Sequence, residues 1–347
     1  MMMKSLCLKV PKKLANEVIM KLKALGILRA DLRIRRNEEY VYIPIKPSKE
    51  LVSSLLKDYG EAVEITESLF THIPKQLGFK DLLKGLVSDE LLNRIPRSFD
   101  IVGKVALVQL PNDLPNDVAR LVGEAIMKVA NVKAVYARSP VLGDYRVRNL
   151  RLIAGGDIDE TIYVEYGIKF YVLVKKVYIN PSLSTEHRRI AELVHDGELV
   201  LDMFSGIGGF SLHIAKLHEA TVFSIDINPY AIQCLIRSIS MNKLKGKVIP
   251  ICGDAKVVIK YFKGDLFDRV IMNNPTRALN FLEDSVKVTK LGASIHLYTI
   301  GSSVNDVIED VEKVIKDKSL NIEVINVQRV LDYAPHQYIF RVDLRRS

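Results

Sequence analysis

The spacing of apolar positions changes along this chain, and the changes divide it. Ser5-Leu6-Cys7-Leu8-Lys9-Val10 alternates, as a strand with one buried face does. Val10, Leu14, Val18, Leu22 and Leu25 then recur at helical spacing up to Gly26, a residue suited to close a helix. Tyr40 to Ile45 reads as another strand. Further on, Phe99 to Val108 predicts paired strands and Asp117 to Val129 a helix. Strand-like stretches follow at 133–138, 146–154 and 161–179, the last turning near Tyr166-Gly167.

From Leu199 onwards, strands and helices alternate. Leu199–Met203, Thr221–Asp226, Lys247–Cys252, Phe267–Met272 and Ser294–Ile300 read as strands. Helices fit 210–215, 229–242, a stretch from about Leu279, and 303–316. Strands at 321–331 and 337–344 close the chain as an antiparallel hairpin. The expected organisation is therefore a small α+β domain over 1–70, a middle α+β domain over 80–190 and an α/β domain over 191–347. The first boundary is expected between 66 and 78, around His72-Ile73-Pro74-Lys75.

The densest chemical signal lies where the first α/β strand breaks. Leu199 to Met203 carries one acid, Asp202, and runs into Phe204-Ser205-Gly206-Ile207-Gly208-Gly209 before a helix begins. That is the layout of a nucleotide-cofactor site in an open α/β sheet. A dinucleotide fingerprint is excluded by spacing, since Gly206 and Gly208 require a third glycine at the position of Ser211. An acid before the turn suits a cation or a hydroxyl better than a phosphate, and S-adenosylmethionine offers a sulfonium, an ammonium and a ribose. Asp226 ends the next strand 24 residues later, where such folds place a ribose-binding carboxylate. Asp202–Gly208, Asp226-Ile227-Asn228-Pro229 and Gly253-Asp254-Ala255 together resemble the motifs of class I S-adenosylmethionine-dependent methyltransferases. The resemblance implies a Rossmann-like seven-stranded sheet. It assigns Asp202, Phe204, Gly206, Gly208, Asp226, Ile227, Asn228, Asp254 and Ala255 to the cofactor.

Composition narrows the partners. Net charge is +9, from 50 Lys+Arg against 41 Asp+Glu in 347 residues, which is compatible with a polyanion. Arg29 to Arg36 forms one basic cluster, and Lys133, Arg138, Arg146, Arg148 and Arg151 a second. Arg146 and Arg148 alternate with Tyr145 and Val147, so both are expected on one sheet face. No apolar run approaches the ~18–20 residues of a membrane span. Cys7, Cys234 and Cys252 are too few and too scattered for a disulfide framework or a zinc site, which fits a reducing, cytoplasmic setting.

A second set of segments crosses these regions. Gly143-Asp144-Tyr145-Arg146, Tyr178-Ile179-Asn180-Pro181 and Ser184-Thr185-Glu186 precede the cofactor motif, while Asn273-Asn274-Pro275, His296 to Gly301 and Tyr333-Ala334-Pro335 follow it. The set resembles the archaeal–eukaryotic tRNA (guanine-37-N1)-methyltransferase family over nearly the whole chain. The resemblance implies methyl transfer to N1 of the guanosine 3′ to the anticodon, by a monomer that contacts the anticodon arm and the outer corner of tRNA. It makes Glu186 the base, Arg146 the partner of O6, and Asn273 and Pro275 holders of base and cofactor. Tyr178, Arg148, His187 and Asn274 would line the target.

From the residues alone, other roles stay open. Glu186 reads as an acid in the first turn of a helix, where the dipole favours it. Arg146 reads as a phosphate contact, with Arg148 its rival for O6, and Asn273 as a helix cap. His187 reads as a surface or pocket-wall histidine, with no metal-ligand spacing around it. Two positions depart from the family: His187 stands where an arginine is usual, and Asn274 replaces a leucine. Related chemistries therefore remain alternatives: C7 methylation of a tricyclic guanosine derivative, aminocarboxypropyl transfer, or RNA binding on a non-catalytic scaffold.

Overall fold

A computed structural model of the chain describes residues 2–47, 59–73, 77–143 and 145–347. Pro74 and Lys75 of the expected boundary, and Asp144 of the Gly143–Arg146 motif, lie outside the described residues. The chain separates into two compact units, the first ending at Gly78 and the second starting at Phe79.

In the first unit, β1 (Met2–Pro11), β2 (Arg35–Arg36), β3 (Tyr40–Pro44) and β4 (Glu64–Thr71) form an antiparallel sheet in the order β2-β3-β1-β4. Helix α1 (Ala15–Ala24) drives Val18 and Leu22 onto Leu8, Val10, Ile43 and Ile45. The helical spacing expected from Val10 is corrected here. Val10 is a strand residue opposite Val41, and Pro11 ends β1 before a 3₁₀ turn leads into α1. Its four-residue distance from Leu14 is a coincidence of the two periods. Leu25 is likewise exposed rather than part of the apolar stripe. In the arginine cluster, Arg29 is paired to Asp31 at 2.6 Å and Arg35 stands over the Tyr42 ring.

The second unit begins with helices α2 (Phe79–Leu83) and α3 (Asp89–Arg94). Strands β5 (Asp100–Val102), β6 (Val105–Val108), β7 (Ala134–Leu142) and β8 (Val147–Gly155) form a four-stranded sheet, and α4 (Asn116–Val129) crosses between parallel β6 and β7. The three helices share one core with that sheet. At Gly123 a Cβ would come within 2.7 Å of the Ala154 Cβ, so glycine lets α4 lie close on β8. Strands β9 (Glu160–Glu165) and β10 (Ile168–Leu173) form a hairpin through Tyr166 and Gly167, both at positive φ. The strand expected to reach 179 stops at Leu173, because the backbone turns there with Val177 N–H bonded to the Leu173 carbonyl.

The remainder is an open α/β sheet. Helix α5 (Ser184–Glu192) leads to β11 (Leu199–Asp202), α6 (Gly209–Leu217), β12 (Thr221–Asp226), α7 (Pro229–Ser240), β13 (Lys247–Cys252) and β14 (Phe267–Met272). Then come α8 (Leu282–Val288), β15 (Thr289–Gly301), α9 (Val304–Asp317), β16 (Ile322–Ala334) and β17 (Gln337–Arg346). The strand order is β13-β12-β11-β14-β15-β17-β16, parallel up to β15, with β17 antiparallel to both its neighbours. The order reverses between β11 and β14, and a crevice at the carboxyl ends of strands on either side of such a point is where ligands bind. The helix expected from Leu279 starts as a 3₁₀ turn, Ala278–Phe281, before α8. No helix among the described residues is long and apolar enough to cross a membrane.

Candidate active site

β11 delivers Asp202 to the switch point, where the chain must turn at once into α6. The turn is made by Gly206 and Gly208 at φ +53° and +92°, left-handed values that a residue with a Cβ adopts at a cost. A Cβ on Gly208 would also strike the Leu235 side chain at 2.3 Å, whereas one on Gly206 would meet nothing within 4 Å. Gly206 therefore faces open space at the sheet edge.

Asp202 itself is fully buried. Its Oδ2 accepts from the Ser211 hydroxyl at 2.7 Å, and Ser211 in turn accepts from Ser224. Its Oδ1 has no partner among the described residues, nor does the buried Ser205 hydroxyl. Burial pushes the Asp202 carboxyl up to about 7, against the pull of Ser211. Ser211, the residue that breaks the dinucleotide spacing, thus serves the acid before the turn.

Asp226, at the end of β12, is pinned on both oxygens by backbone: Oδ2 by Gly206 N–H and Oδ1 by Asn228 N–H, each at 2.8 Å. Burial raises its carboxyl as well, against those two bonds. Asn228 caps α7 through Tyr230 N–H and donates to the Lys176 carbonyl, so its side chain is committed to structure. Ile227 is exposed beside it, Phe204 meets Phe281 edge-on, and Asp254 caps the short helix Ala255–Val258. An orphaned buried carboxylate oxygen, an open glycine and an anchored acid on the neighbouring strand fit a cationic, ribose-bearing cofactor.

On the other side of the switch point, β14 is followed directly by Asn273-Asn274-Pro275. Arg146 reaches this strand end: its Nη1 donates to Asn274 Oδ1 at 3.1 Å and Thr276 Oγ1 at 3.2 Å. The expectation that Arg146 and Arg148 share a strand face is corrected. Arg146 lies in the turn before β8 at φ +52°, and only Arg148 belongs to the strand. The two guanidinium groups nevertheless meet over the Tyr178 ring, at 5.4 and 5.0 Å from its centre. The Nε and Nη1 of Arg148 are buried with no partner among the described residues, and this burial lowers its pKa.

Glu186 does occupy the first turn of a helix, but it points inward. Its Oε1 accepts from Tyr298 at 2.7 Å and Arg341 at 2.8 Å, and Oε2 accepts from Arg189 at 3.1 Å. Behind it the polar network continues through the sheet. Arg341 donates to Asp343 at 2.9 Å, Asp343 meets His296 at 2.7 Å, and His296 meets Arg269, which is held by Glu198. Sequence reasoning missed Arg269, Arg341 and Asp343. Their signal was a charge inside an apolar strand, as in Ile339-Phe340-Arg341-Val342. His187 is buried rather than on the surface, and Glu165 accepts from it at 2.9 Å.

A parallel sheet reversing at β11 and β14, a glycine turn after the first strand and an anchored acid after the second define a Rossmann-like methyltransferase. Comparison with known proteins refines the class. Residues 161–325 match the TRM5/TYW2 methyltransferase domain, 79–158 the TYW2 N-terminal domain and 7–51 the tRNA methyltransferase 5 N-terminal domain. The chain is 36% identical to the tRNA (guanine(37)-N(1))-methyltransferase Trm5b of Pyrococcus abyssi, covering 99% of each. It is 32% identical to the tRNA 4-demethylwyosine(37)-methyltransferase Taw21 of Saccharolobus solfataricus, covering 77% of this chain and all of that one. Among solved structures, aTrm5 in its complex with tRNALeu superposes with a TM-score of 0.70 at 31% identity, over 99% of this chain and 100% of that one. The chain belongs to the TRM5/TYW2 family of methyltransferases. It is an S-adenosylmethionine-dependent enzyme.

Proposed function

We propose that this chain methylates N1 of guanosine 37 in tRNA. The observation that carries the reading is the meeting of Arg146 with Asn274 and Thr276 at the end of β14, beside the cofactor edge. That contact supports the reading because it brings together a guanidinium and an amide, groups suited to grip a planar base with a carbonyl.

The cofactor supplies an electrophilic methyl group when bound. Asp202, Phe204, Gly206, Gly208, Asp226, Ile227, Asn228, Asp254 and Ala255 would form its seat, with Asn273 and Pro275 at its reactive end. Guanosine N1 carries a proton and attacks only when that proton leaves. Glu186 takes it, a role worth typically about 10²–10⁴ in rate. An ionised carboxylate has about four lone-pair sites, so Glu186 keeps acceptor capacity beyond its three bonds. Charge then moves to O6, where Arg146 stabilises it. The unpartnered donors of Arg148 favour a variant in which Arg148 does so instead. Single-turnover rates of Arg146→Lys and Arg148→Lys, at saturating cofactor, separate the two.

Residues 1–70 would read the tRNA outer corner, while 80–190 and 191–347 hold the anticodon arm, in a monomeric cytoplasmic enzyme. A second reading, C7 methylation of a tricyclic guanosine derivative at the same position, is favoured by the likeness to the Saccharolobus protein. Labelled cofactor offered with an unmodified transcript, and separately with tRNA carrying the tricyclic base, tests both. Label in 1-methylguanosine on the plain transcript is the expected result. Label only on the tricyclic base would replace the first reading by the second.

A further inference from the structure

One buried cluster of titratable side chains, of which only His187 was given a role above, takes no part in the proposed chemistry. Glu165 ends β9 with 5% of its surface exposed, and its Oε2 accepts from two imidazoles. His187 Nδ1 stands at 2.9 Å and His213 Nε2 at 3.1 Å. His187 directly follows Glu186 on α5, and His213 lies on α6, which grows out of the glycine turn. One carboxylate oxygen therefore joins three elements. Burial pushes this carboxyl up, but the bonds from His187 and His213 outweigh it and hold Glu165 at about 2.

His187 has a second contact on the turn itself. A Cβ on Gly209 would lie 2.5 Å from its ring, and the ring meets Phe210 edge-on at 4.7 Å. Gly209 is the first residue of α6 and is not at positive φ, so its backbone accepts any residue. The imidazole occupies the place that a side chain at Gly209 would need. His187 and Gly209 are a matched pair.

Two imidazoles and a carboxylate within 4.8 Å also make a metal donor set. The surroundings favour hydrogen bonding. A metal-bound imidazole almost always donates its other N–H to an acceptor. His213 Nδ1 is buried with no partner among the described residues, and the far edge of His187 faces Gly209. Both contacts to Glu165 have the length of a direct hydrogen bond.

We propose that Glu165 is a positioning residue: through His187 and His213 it fixes the helix carrying Glu186 against the glycine turn of the cofactor site. The inference rests on Glu186 acting as the base. Its consequence is that the turn and the base move as one body, so disturbing either side is felt on the other.

The test is a double-mutant cycle read by calorimetry of S-adenosylmethionine binding, with melting temperatures as a check on folding. Gly209→Ala is expected to weaken binding about tenfold while His187 is present, and about twofold or less in a His187→Ala background, the non-additivity of contacting residues. Glu165→Ala is expected to slow single-turnover transfer at saturating cofactor by about tenfold, the effect of a small misplacement of reacting groups. Glu165→Gln keeps an acceptor and the shape, and is expected to recover most of that loss. Additive effects of Gly209→Ala and His187→Ala would overturn the proposal, as would an unchanged rate in Glu165→Ala. So would a stoichiometric transition metal, found by elemental analysis and lost in Glu165→Ala. Should Glu165→Ala fail to fold, Glu165→Asp, which shortens the reach to both imidazoles, replaces it in the rate measurement, and an unchanged rate there would overturn the proposal. The cycle involves neither RNA nor proton transfer, so it still reads the coupling if Glu186→Gln proves harmless and the base reading falls.

Discussion

Asp202 and Glu186 are both buried acids of the α/β sheet region, yet their surroundings are opposite. Asp202 keeps one oxygen without a partner and holds its proton up to about 7. Glu186 has two arginines and a tyrosine on its carboxylate. An unsatisfied buried acceptor costs stability, so it persists where a ligand completes it. An acid held by three donors instead marks a group whose position is fixed by the chain itself. On the assignment proposed above, the chain leaves the cofactor edge incomplete and preassembles the target side. Remote support differs in the same sense: Arg341, Asp343, His296 and Arg269 stand behind Glu186, whereas two serines stand behind Asp202.

The contrast can be broken most forcefully at Glu186. Glu186→Gln is expected to lower single-turnover methyl transfer by about 10²–10⁴. Calorimetry should meanwhile show cofactor affinity almost unchanged, because glutamine keeps the shape of Glu186 and leaves the Glu165, His187 and Gly209 contacts in place. Arg341→Met attacks the support instead. It strips a buried ion pair from Glu186 and Asp343, and urea unfolding should show a loss of about 3–5 kcal/mol. Asp202→Asn should behave the other way round. Its stability should stay within about 1 kcal/mol of the parent, while cofactor affinity falls by about ten- to hundredfold with the lost charged contact.

The smallest effect is a slope with pH. Asp202 in the folded chain titrates near 7, above an unfolded value of about 3.9. The folded state therefore binds the extra proton, and this group's contribution is whole below about 4 and lost as pH rises through about 7. Glu165 has the opposite sign: its folded value of about 2 lies below an unfolded value of about 4.3, so its contribution is present above that range and lost as pH falls through about 2. Urea unfolding of the parent and Asp202→Asn between pH 4 and 8 should differ by a slope of the first sign. Identical slopes would mean that burial of Asp202 does not govern its proton.

Which of these features could be read from the sequence follows from how local they are. The β11 turn was legible because Asp202, Gly206 and Gly208 sit within one short stretch and each needs its own residue type. The seven strands of the sheet were legible because apolar runs alternate with helical spacing. Val10 was misread because a strand residue happened to fall on the next helix's period. The Glu165 cluster was invisible, since Glu165, His187 and His213 come from three elements and meet only through the packing of α5 and α6. The same holds for Glu186 and Arg341, which are 155 residues apart. Glu186 was singled out only through a family motif. The two arginines and the tyrosine that hold it are a property of the fold.

Methylation of guanosine 37 at N1 by this site comes down to one transfer experiment. Labelled S-adenosylmethionine is given with unmodified tRNA transcripts carrying G or A at position 37, and the product nucleosides are separated. Label is expected in 1-methylguanosine from the G37 transcript and none from the A37 transcript. Label retained in the A37 transcript, or no transfer to either, would contradict it.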